Sequence, residues 1–274
     1  MFLFMKTAVE PLASTPLDAN ILVVPYMTPL RCPAKYRAFT LLELLAIIGI
    51  LALLITLRLP ALARATDQTK RSQCASNLRQ FTLATQIFAN ENDDRLPSGA
   101  VGSWAWDAPA SLGTFVESTG SKWTVMYCPG TGPRFSDADN WNLYNFAPPS
   151  FRVLGYANTF FANTGVSSTN YNPTLTPSPV QVTPGNYVTP LTSQRVLLAD
   201  ATISLPGQNN PATRYSYSYV NIQGGYALAH LSPHLTAQFP AGGNLGMLDG
   251  HVEWRKFNDM TPRTQGSSSP VFWW

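Results

Sequence analysis

The chain has 274 residues, of which 45% are hydrophobic and only 12% are charged. Residues 39–274 carry 14 basic and 13 acidic side chains, and this net charge of +1 gives no electrostatic basis for nucleic acid as a main partner. With 23 prolines and 12% aromatic residues, the composition favours a loop-rich exported β domain over a helical cytosolic enzyme.

The N-terminal segment, residues 1–38, precedes a long apolar run, and its residues 1–26 mix apolar and polar groups without a clear pattern. Met27 offers an alternative start that would give a short, basic leader. We expect this segment to be removed from the mature chain and exclude it from the fold prediction. Cys32 would be lost with it, which leaves two cysteines in the mature protein.

The apolar run begins at Phe39 and extends to Leu59, and Glu43 is its only charged residue before Arg58. About 20 helical residues cross a hydrocarbon core of about 30 Å, so residues 39–59 are predicted to form a transmembrane or filament-core helix. A carboxylate in such a segment is costly unless it finds a partner. Glu43 therefore indicates a paired charge near the start of the helix.

The helix is predicted to continue past Pro60 as an amphipathic stalk over residues 60–92. This stretch contains no Gly, and beyond its first residue no Pro, and is rich in good helix formers. A polar string followed by Pro97 ends it. Apolar side chains recur on one face at helical spacing: Cys74, Leu78, Phe81 and Phe88.

The remaining chain, residues 93–274, is predicted to form a β-rich exported head. Residues 163–194 are rich in Asn, Thr, Pro, Ser and Gly and are expected to be an irregular insertion. Asp249-Gly250 followed by His251 predicts a hairpin turn between the last two strands, since Asp-Gly supplies positive φ angles. The candidate strands are residues 123–127, 153–157, 195–199, 215–220, 245–248 and 251–255.

The sequence Arg37-Ala38-Phe39-Thr40-Leu41-Leu42-Glu43 resembles the processing site of type IV prepilins and type II secretion pseudopilins. The resemblance implies cleavage between Ala38 and Phe39 by prepilin peptidase, followed by N-methylation of Phe39. It also implies that Glu43 pairs with the N-terminal amine of a neighbouring subunit and that Pro60 kinks the helix. Ala38 stands where the family usually has Gly.

A second resemblance covers the segment from Pro240 to Val252. It is similar to the C-terminal signature of a large prepilin-like family of the Planctomycetes and Verrucomicrobia, named for a His, nine residues and Asp-Gly. Phe239 occupies the position of that His, so the signature is degenerate here. The segments that begin at Cys74 and at Tyr127, and the final Phe-Trp-Trp, resemble the same family. Together these resemblances imply a pilin-like α+β fold, with a long N-terminal helix packed on an antiparallel β head.

The sequence gives only weak evidence for a metal site. His230, His234, Asp249 and His251 are acceptable ligand types, but Pro233 prevents the helical spacing that would bring the first two together. We therefore predict no metal site from these residues.

A calcium site is a further alternative, with Asp137, Asp139 and Asn140 as oxygen ligands, although no EF-hand loop follows them. Such a cluster is more often a solvated turn. No cofactor is therefore predicted, with calcium left open.

Cys74 and Cys128 can form a disulfide in an oxidising periplasm, or Cys74 can pack as a small apolar side chain on its helix face. We find none of the sequence signatures of nucleophilic, metalloprotease or phosphate-binding sites and predict that the chain is not an enzyme.

The sequence thus predicts a structural pseudopilin-like subunit, assembled into a type II secretion pseudopilus or a related filament. Its expected partners are prepilin peptidase, other pilin-like subunits and the assembly machinery. The expected location is the inner membrane, with the leader in the cytoplasm and the head in the periplasm or a filament.

Two alternative functions remain. The first is a membrane-anchored exported binding protein, for instance for polysaccharide, that does not polymerise. The second, less favoured, is a periplasmic hydrolase on the same anchor. Seven tryptophans fit a glycan-binding face, but a buried core is the favoured interpretation.

Overall fold

The computed structural model describes residues 39–99, 102–147, 150–161, 165–265 and 269–274. The predicted leader, including Ala38 and the alternative start at Met27, lies outside the described residues. The chain divides into two compact units, Met1–Ala52 and Leu53–Trp274. Helix α1 (Leu41–Glu91) begins in the first unit and ends in the second. Within the described ranges, no helix is both long and apolar enough to cross a membrane.

The fold is of the predicted α+β class, since it combines helices with antiparallel strands. Two shorter helices follow α1: α2 (Ala110–Ser118) and α3 (Asp137–Tyr144). The strands in chain order are β1 (Asp107–Pro109), β2 (Phe151–Val153), β3 (Tyr156–Asn158), β4 (Val180–Thr183), β5 (Asn186–Val188), β6 (Val196–Asp200), β7 (Thr202–Ser204), β8 (Leu235–Thr236), β9 (Phe239–Pro240), β10 (Gly242–Met247), β11 (Val252–Lys256) and β12 (Val271–Trp273).

Helix α1 covers both predicted helical segments and runs through position 60 without a break. It starts two residues later than predicted because Thr40 and Glu43 form a capping box. The backbone N–H and hydroxyl of Thr40 each donate to Oε2 of Glu43 at 3.0 Å, and the Glu43 N–H donates to Oγ1 of Thr40 at 3.2 Å. This arrangement satisfies N–H groups that have no partner within the helix.

The two parts of α1 differ in burial. Every side chain from Leu41 to Thr56 is exposed. The second part of α1 runs from Lys70 to Ala89 and has one buried stripe. The residues of this stripe recur at intervals of three and four, as a single helix face requires. Phe88 is half-buried and packs edge-to-face on Phe115, with ring centroids 5.1 Å apart. The fully buried stripe contains Cys74, Leu78, Phe81 and Thr85.

The main sheet has four antiparallel strands in the order β11-β10-β6-β3. The second part of α1 lies against β10 at very short range. A Cβ atom added at Gly246 would stand 2.2 Å from Oγ1 of Thr82 and 3.5 Å from Leu78. A side chain at position 246 would therefore hold the helix away from the strand.

The predicted hairpin at Asp249-Gly250 joins β10 and β11, whose register pairs Gly246 with Val252. Of the two turn residues, only Gly250 adopts a positive φ, of 92°. Its N–H donates to the carbonyl of Met247 at 2.9 Å. Glycine adopts this backbone conformation without steric cost.

Several strand predictions need correction. Residues 123–127 form a 3₁₀ helix, Trp123–Met126, and residues 215–220 lie at the end of another, Pro211–Ser216, and in the loop beyond it. The predicted strand at 153–157 is two short strands, β2 and β3, that belong to different sheets. Aromatic and β-branched composition suggested strands here, but tertiary packing overrides such local preference.

The predicted irregular insertion at 163–194 is also partly wrong. It contains the exposed hairpin β4–β5 and a 3₁₀ helix, Thr192–Gln194. Gly185 supplies a positive φ of 83° at the hairpin turn. Residues 163 and 164 lie outside the described residues.

Most of the tryptophans are buried or half-buried, as the core interpretation predicts, and Trp273 and Trp274 are among the largest fully buried side chains. Trp273 belongs to a small satellite core with Tyr219 and Phe257. Trp141 remains exposed over 46% of its surface.

Candidate metal centre

Four segments of the second unit bring four metal-binding side chains to one buried point. The cluster consists of Cys74 on α1, Cys128 just before the 3₁₀ helix Pro129–Thr131, Asp200 at the end of β6, and His234 just before β8. Each side chain offers one ligand atom, and these four atoms all lie within 4.8 Å of one another. None of the four residues is more than 2% exposed.

Local structure fixes three members of this cluster. Cys128 caps its 3₁₀ helix, since its Sγ accepts the N–H of Gly130 at 3.3 Å. The Oδ2 atom of Asp200 accepts the N–H of Asn244, on the neighbouring strand β10, at 2.7 Å. His234 has a positive φ of 53°, and its ring packs edge-to-face on Trp254 with centroids 5.3 Å apart.

Three distances within the cluster are close to those of a tetrahedral site. Sγ of Cys74 lies 3.0 Å from Oδ1 of Asp200, Sγ of Cys128 lies 3.2 Å from Nε2 of His234, and that Nε2 lies 3.5 Å from Oδ2 of Asp200. Ligand bonds of about 2.0–2.3 Å to a tetrahedral zinc ion place neighbouring ligand atoms roughly 3.3–3.8 Å apart. Small side-chain adjustments would therefore suffice to bind such an ion.

Burial and hydrogen bonding shift the pKa values in this cluster. For Asp200, burial alone would raise the pKa, but hydrogen bonds from His234, Cys74 and Asn244 lower it overall. For His234, burial alone would lower the pKa, but its hydrogen bond to Asp200 and the charge of that carboxylate contribute to raising it to about 10. Burial raises the pKa of the Cys128 thiol well above its ordinary value. These shifts favour the charged forms of Asp200 and His234 and the neutral thiol of Cys128.

The structure brings Cys74 and Cys128 together as free, buried thiols. The predicted disulfide between them is not formed in this structure, and it remains a prediction for the protein in an oxidising compartment. Cys74 also lies on the buried stripe of α1, as its alternative interpretation required.

Of the four residues first considered as metal ligands, only His234 reaches this cluster. His230 stacks on Phe135 with ring centroids 5.5 Å apart. Asp249 and His251 pair with each other at the exposed turn, with Oδ1 and Nδ1 2.6 Å apart. The other three members of the cluster are the two cysteines, which were considered for a disulfide, and Asp200, which was not considered from the sequence.

Of the residues considered for calcium, Asp139 has a structural function. Asp137, Asp139 and Asn140 lie in the first turn of α3, where Asp137 is exposed and the other two are half-buried. Oδ2 of Asp139 accepts the N–H and hydroxyl of Ser136, at 2.9 and 2.6 Å, in a capping box. Oδ1 of Asp139 accepts the hydroxyl of Tyr226 at 3.2 Å. Both oxygens of this carboxylate are thus used within the fold.

The residues of the predicted assembly site lie at the start of α1. Phe39 is exposed over 65% of its surface, and Glu43 is held by Thr40 in the capping box. A Thr followed three residues later by Glu is itself a helix-start signature, which the sequence analysis did not use. The cap is a structural function of Glu43, whereas its pairing with a neighbouring subunit stays a prediction.

A second candidate site is an open pocket of about 280 Å³ in the second unit. Asp107 supplies its carboxylate, and burial raises the pKa of this group to about 6 against the lowering effect of the Trp104 and Ser103 N–H groups. Burial lowers the pKa of His230, which also lines the pocket, to about 4. The aromatic lining consists of Trp104, Trp106, Phe146, Phe151 and Tyr226.

Comparisons of the chain with protein-family models, with curated proteins and with solved structures each found no match. Function is therefore inferred below from the residues of this chain.

Proposed function

We propose that the chain is a structural subunit of a type II secretion pseudopilus or a related filament, processed by prepilin peptidase and assembled through the start of α1. The observation that supports this proposal most directly is the exposed apolar surface from Leu41 to Ile55, which carries a single acid, Glu43. Such a surface is unfavourable in water and requires lipid or another protein to cover it. The inner membrane covers it before assembly, and the same segments of neighbouring subunits cover it in the filament.

The geometry of Glu43 is compatible with this function. Both hydrogen bonds from Thr40 use Oε2 of the carboxylate. Oε1 is then the atom that accepts the N-terminal amine of Phe39 on an adjacent subunit after the leader is removed. A charge-assisted bond of this kind removes the penalty of a carboxylate in an apolar environment and sets the axial register of the subunits.

A pilin-like arrangement within the second unit is supported by side-chain bonds between α1 and the rest of that unit. Lys70 donates to the carbonyl of Gly132 at 2.8 Å, and Asn77 donates to the carbonyl of Tyr127 at 3.1 Å. These bonds lie on either side of Cys74 along the helix. They would hold the head on the second part of α1 and leave the first part free for assembly.

The degenerate signature differs from the family pattern in its spacing. His234 and Asp249 are separated by 14 residues, five more than the nine of the signature. The small hairpin β8–β9, Leu235–Pro240, lies between them.

The test uses the full chain in a host that supplies prepilin peptidase and the assembly machinery. Mass spectrometry of the mature protein should find N-methylated Phe39 as the first residue. Crosslinking between helices should then report assembly. Glu43→Gln keeps the capping box but removes the charge, whereas Thr40→Ala removes the cap and keeps the charge.

If the paired charge drives assembly, Glu43→Gln reduces crosslinking by about tenfold or more, as expected for loss of a charge-assisted contact of about 1.5–3 kcal/mol. Thr40→Ala then assembles close to wild-type level. The opposite ranking would assign Glu43 to helix capping alone. An unprocessed leader on the wild-type protein would contradict the proposal as a whole.

The aromatic pocket favours a second candidate function, that of a membrane-anchored exported binding protein. Trp104 and Trp106 lie 5.3 Å apart between ring centroids, beside the carboxylate of Asp107. Apolar rings with a few polar groups are typical of small-molecule sites. A sugar ring, with its apolar face and its hydroxyl groups, is the ligand class that fits such a lining.

Titration calorimetry of the full chain with a panel of neutral oligosaccharides distinguishes this function. Two results together would favour this function over the filament proposal. The wild type would bind a sugar that Trp104→Ala does not bind, and the protein would form no crosslinks between helices of different subunits. No binding at millimolar sugar would remove the second candidate.

A further inference from the structure

We propose that Cys74, Cys128, Asp200 and His234 form a structural zinc site that fastens α1 to the head. This proposal is independent of filament assembly and of the aromatic pocket, because it rests on four buried side chains of the second unit. The site supplies the core with a cross-link between segments that are distant in sequence.

The first argument is convergence. Four side chains of metal-binding type, from four separate segments, bring one ligand atom each to within 4.8 Å of the other three. Buried polar groups of this kind are costly unless each is fully satisfied. The cluster lies within the main hydrophobic core, since Cys74 and Cys128 are both buried members of that core. A cation at the common point satisfies all four ligand atoms together.

The second argument is the donor set. Two sulfur atoms exclude calcium and magnesium, which take oxygen ligands, and favour a thiophilic ion. Two Cys, one His and one carboxylate are all established types of zinc ligand, and zinc prefers four of them in a tetrahedron. All four ligands come from the protein and all are buried, so no position is left open to substrate. This is the pattern of a structural site and not of a catalytic one.

The third argument is the shell around the ligands. The Asn244 N–H occupies Oδ2 of Asp200, which leaves Oδ1, the oxygen facing Cys74, to bind the ion. The N–H of Gly130 stabilises negative charge on Sγ of Cys128. The Tyr156 hydroxyl lies 3.5 Å from Sγ of Cys74 and donates there when the sulfur is a thiolate. Groups of this type orient ligands and tune the affinity of a metal site.

Gly130 contributes a steric constraint. A Cβ atom at this position would lie 2.8–2.9 Å from the ring and backbone of His234. The glycine therefore allows the Pro129–Thr131 segment to approach the imidazole closely. A methyl group here would displace His234 from the cluster.

Binding is a ligand exchange without redox change. Zinc forms bonds to both sulfurs, to Oδ1 of Asp200 and to Nε2 of His234, and it releases its water ligands. Any proton carried by the two sulfurs or by Nε2 of His234 is released to solvent as the bonds to zinc form. A disulfide between the cysteines would use the same two sulfurs, so zinc and the disulfide exclude each other.

The test uses the full chain, purified in detergent under conditions that do not supply a chelator. Elemental analysis should find about one zinc per chain, and replacement by cobalt should give the visible absorption of a tetrahedral cobalt–thiolate complex. Chelation of zinc should lower Tm by about 10 °C or more and remove amide-exchange protection from the second part of α1.

The variants Cys128→Ser, Asp200→Asn and His234→Gln should each retain less than about a tenth of the zinc. His230→Gln is the matched control, because it changes a buried His outside the cluster and should keep the full metal content. Gly130→Ala tests the site without removing a ligand and should weaken zinc binding by about tenfold to a hundredfold.

Three results would overturn the proposal. The first is a peptide map that links Cys74 to Cys128 in the native protein. The second is a metal-free protein in which Cys74 and Cys128 both react with a thiol reagent after denaturation, with no cobalt spectrum and no change in Tm on adding zinc. The third is zinc that persists in His234→Gln but is lost in His230→Gln.

Discussion

The two parts of helix α1 have the same secondary structure but opposite surroundings. From Leu41 to Thr56 every side chain is exposed, and all but a few are Leu, Ile or Ala. From Lys70 to Ala89 a stripe is fully buried and polar side chains donate to carbonyls of the head. Helical propensity is satisfied in both parts, so it does not determine which part belongs to the folded core.

What separates the two parts is the arrangement of their apolar residues. The second part repeats them every three or four positions, which directs them to one side and leaves a polar side for water. The first part has apolar residues all around the helix, so no single neighbour can cover it. Such a segment needs an apolar environment on every side, which lipid or a bundle of like segments provides.

The largest expected effect comes from truncating a buried residue of the second part. Phe81 is fully buried and its ring lies 6.3 Å from that of Tyr156. Phe81→Ala should lower the free energy of unfolding of the head by about 3–5 kcal/mol, through lost burial and a residual cavity. Urea unfolding followed by tryptophan fluorescence measures it.

The matched control lies in the first part. Leu51 is exposed over 51% of its surface, so Leu51→Ala should change the unfolding of the head by less than about 0.5 kcal/mol. Equal losses in the two variants would show that both parts of α1 belong to one cooperative core, and the comparison would fail.

The sequence was informative about these elements to different degrees. The periodic spacing predicted the buried stripe of α1, because one helix face suffices to define it. The hairpin at Asp249-Gly250 followed from its turn residues. In contrast, Trp123–Met126 was assigned to a strand and is a 3₁₀ helix, since short aromatic segments carry no periodicity that separates the two.

The metal cluster was only partly predictable. Cys74, Cys128 and His234 were each considered, but in two different sites, because their convergence depends on the packing of α1 against the sheet. Asp200 ends a run of buried apolar residues in β6. An acid at the end of such a run is a local signal that could have indicated a buried partner, but it was not used in the sequence analysis. Proximity between segments more than 100 residues apart is not encoded in any local pattern.

The stability of the head should also depend on pH, whereas the first part of α1 should not contribute to that dependence. The reason is that the core packed on the second part of α1 buries Asp107 and His230. Burial raises the pKa of Asp107 to about 6, so the folded state binds more protons than the unfolded state between about pH 4 and 6. The buried Asp107 carboxyl is therefore tolerated at low pH, where it is protonated, and the folded state loses stability as the pH rises and the group ionises.

His230 acts in the opposite direction. Burial lowers its pKa to about 4, so the unfolded state binds more protons between about pH 4 and 6.5, and stability is lost as pH falls. Each effect is on the order of 3 kcal/mol, and they largely cancel in the wild type.

Single variants should reveal the two opposing effects. Relative to wild type, Asp107→Asn should gain stability as pH rises from 4 to 6.5, whereas His230→Phe should gain it as pH falls. Denaturant unfolding at four or five pH values measures both slopes, and Leu51→Ala should show the wild-type profile. Parallel profiles for all three variants would mean that neither buried group titrates in this range.

The smallest expected effect tests a single hydrogen bond between the second part of α1 and the Asp249-Gly250 turn. Nε2 of Gln86 donates to the carbonyl of Leu248 at 2.7 Å, and its side chain fills the space that a Cβ at Gly250 would enter. Gln86→Ala leaves that carbonyl without this donor and should cost about 1 kcal/mol. Gln80→Ala is the control, because the exposed Gln80 donates only within the helix, to Ser76 at 3.4 Å. The gain in helix propensity from Gln to Ala is common to both variants, so the difference between their unfolding free energies isolates the bond to the turn. If the two variants unfold at the same urea concentration, the turn is held by the sheet alone and α1 contributes only its apolar stripe.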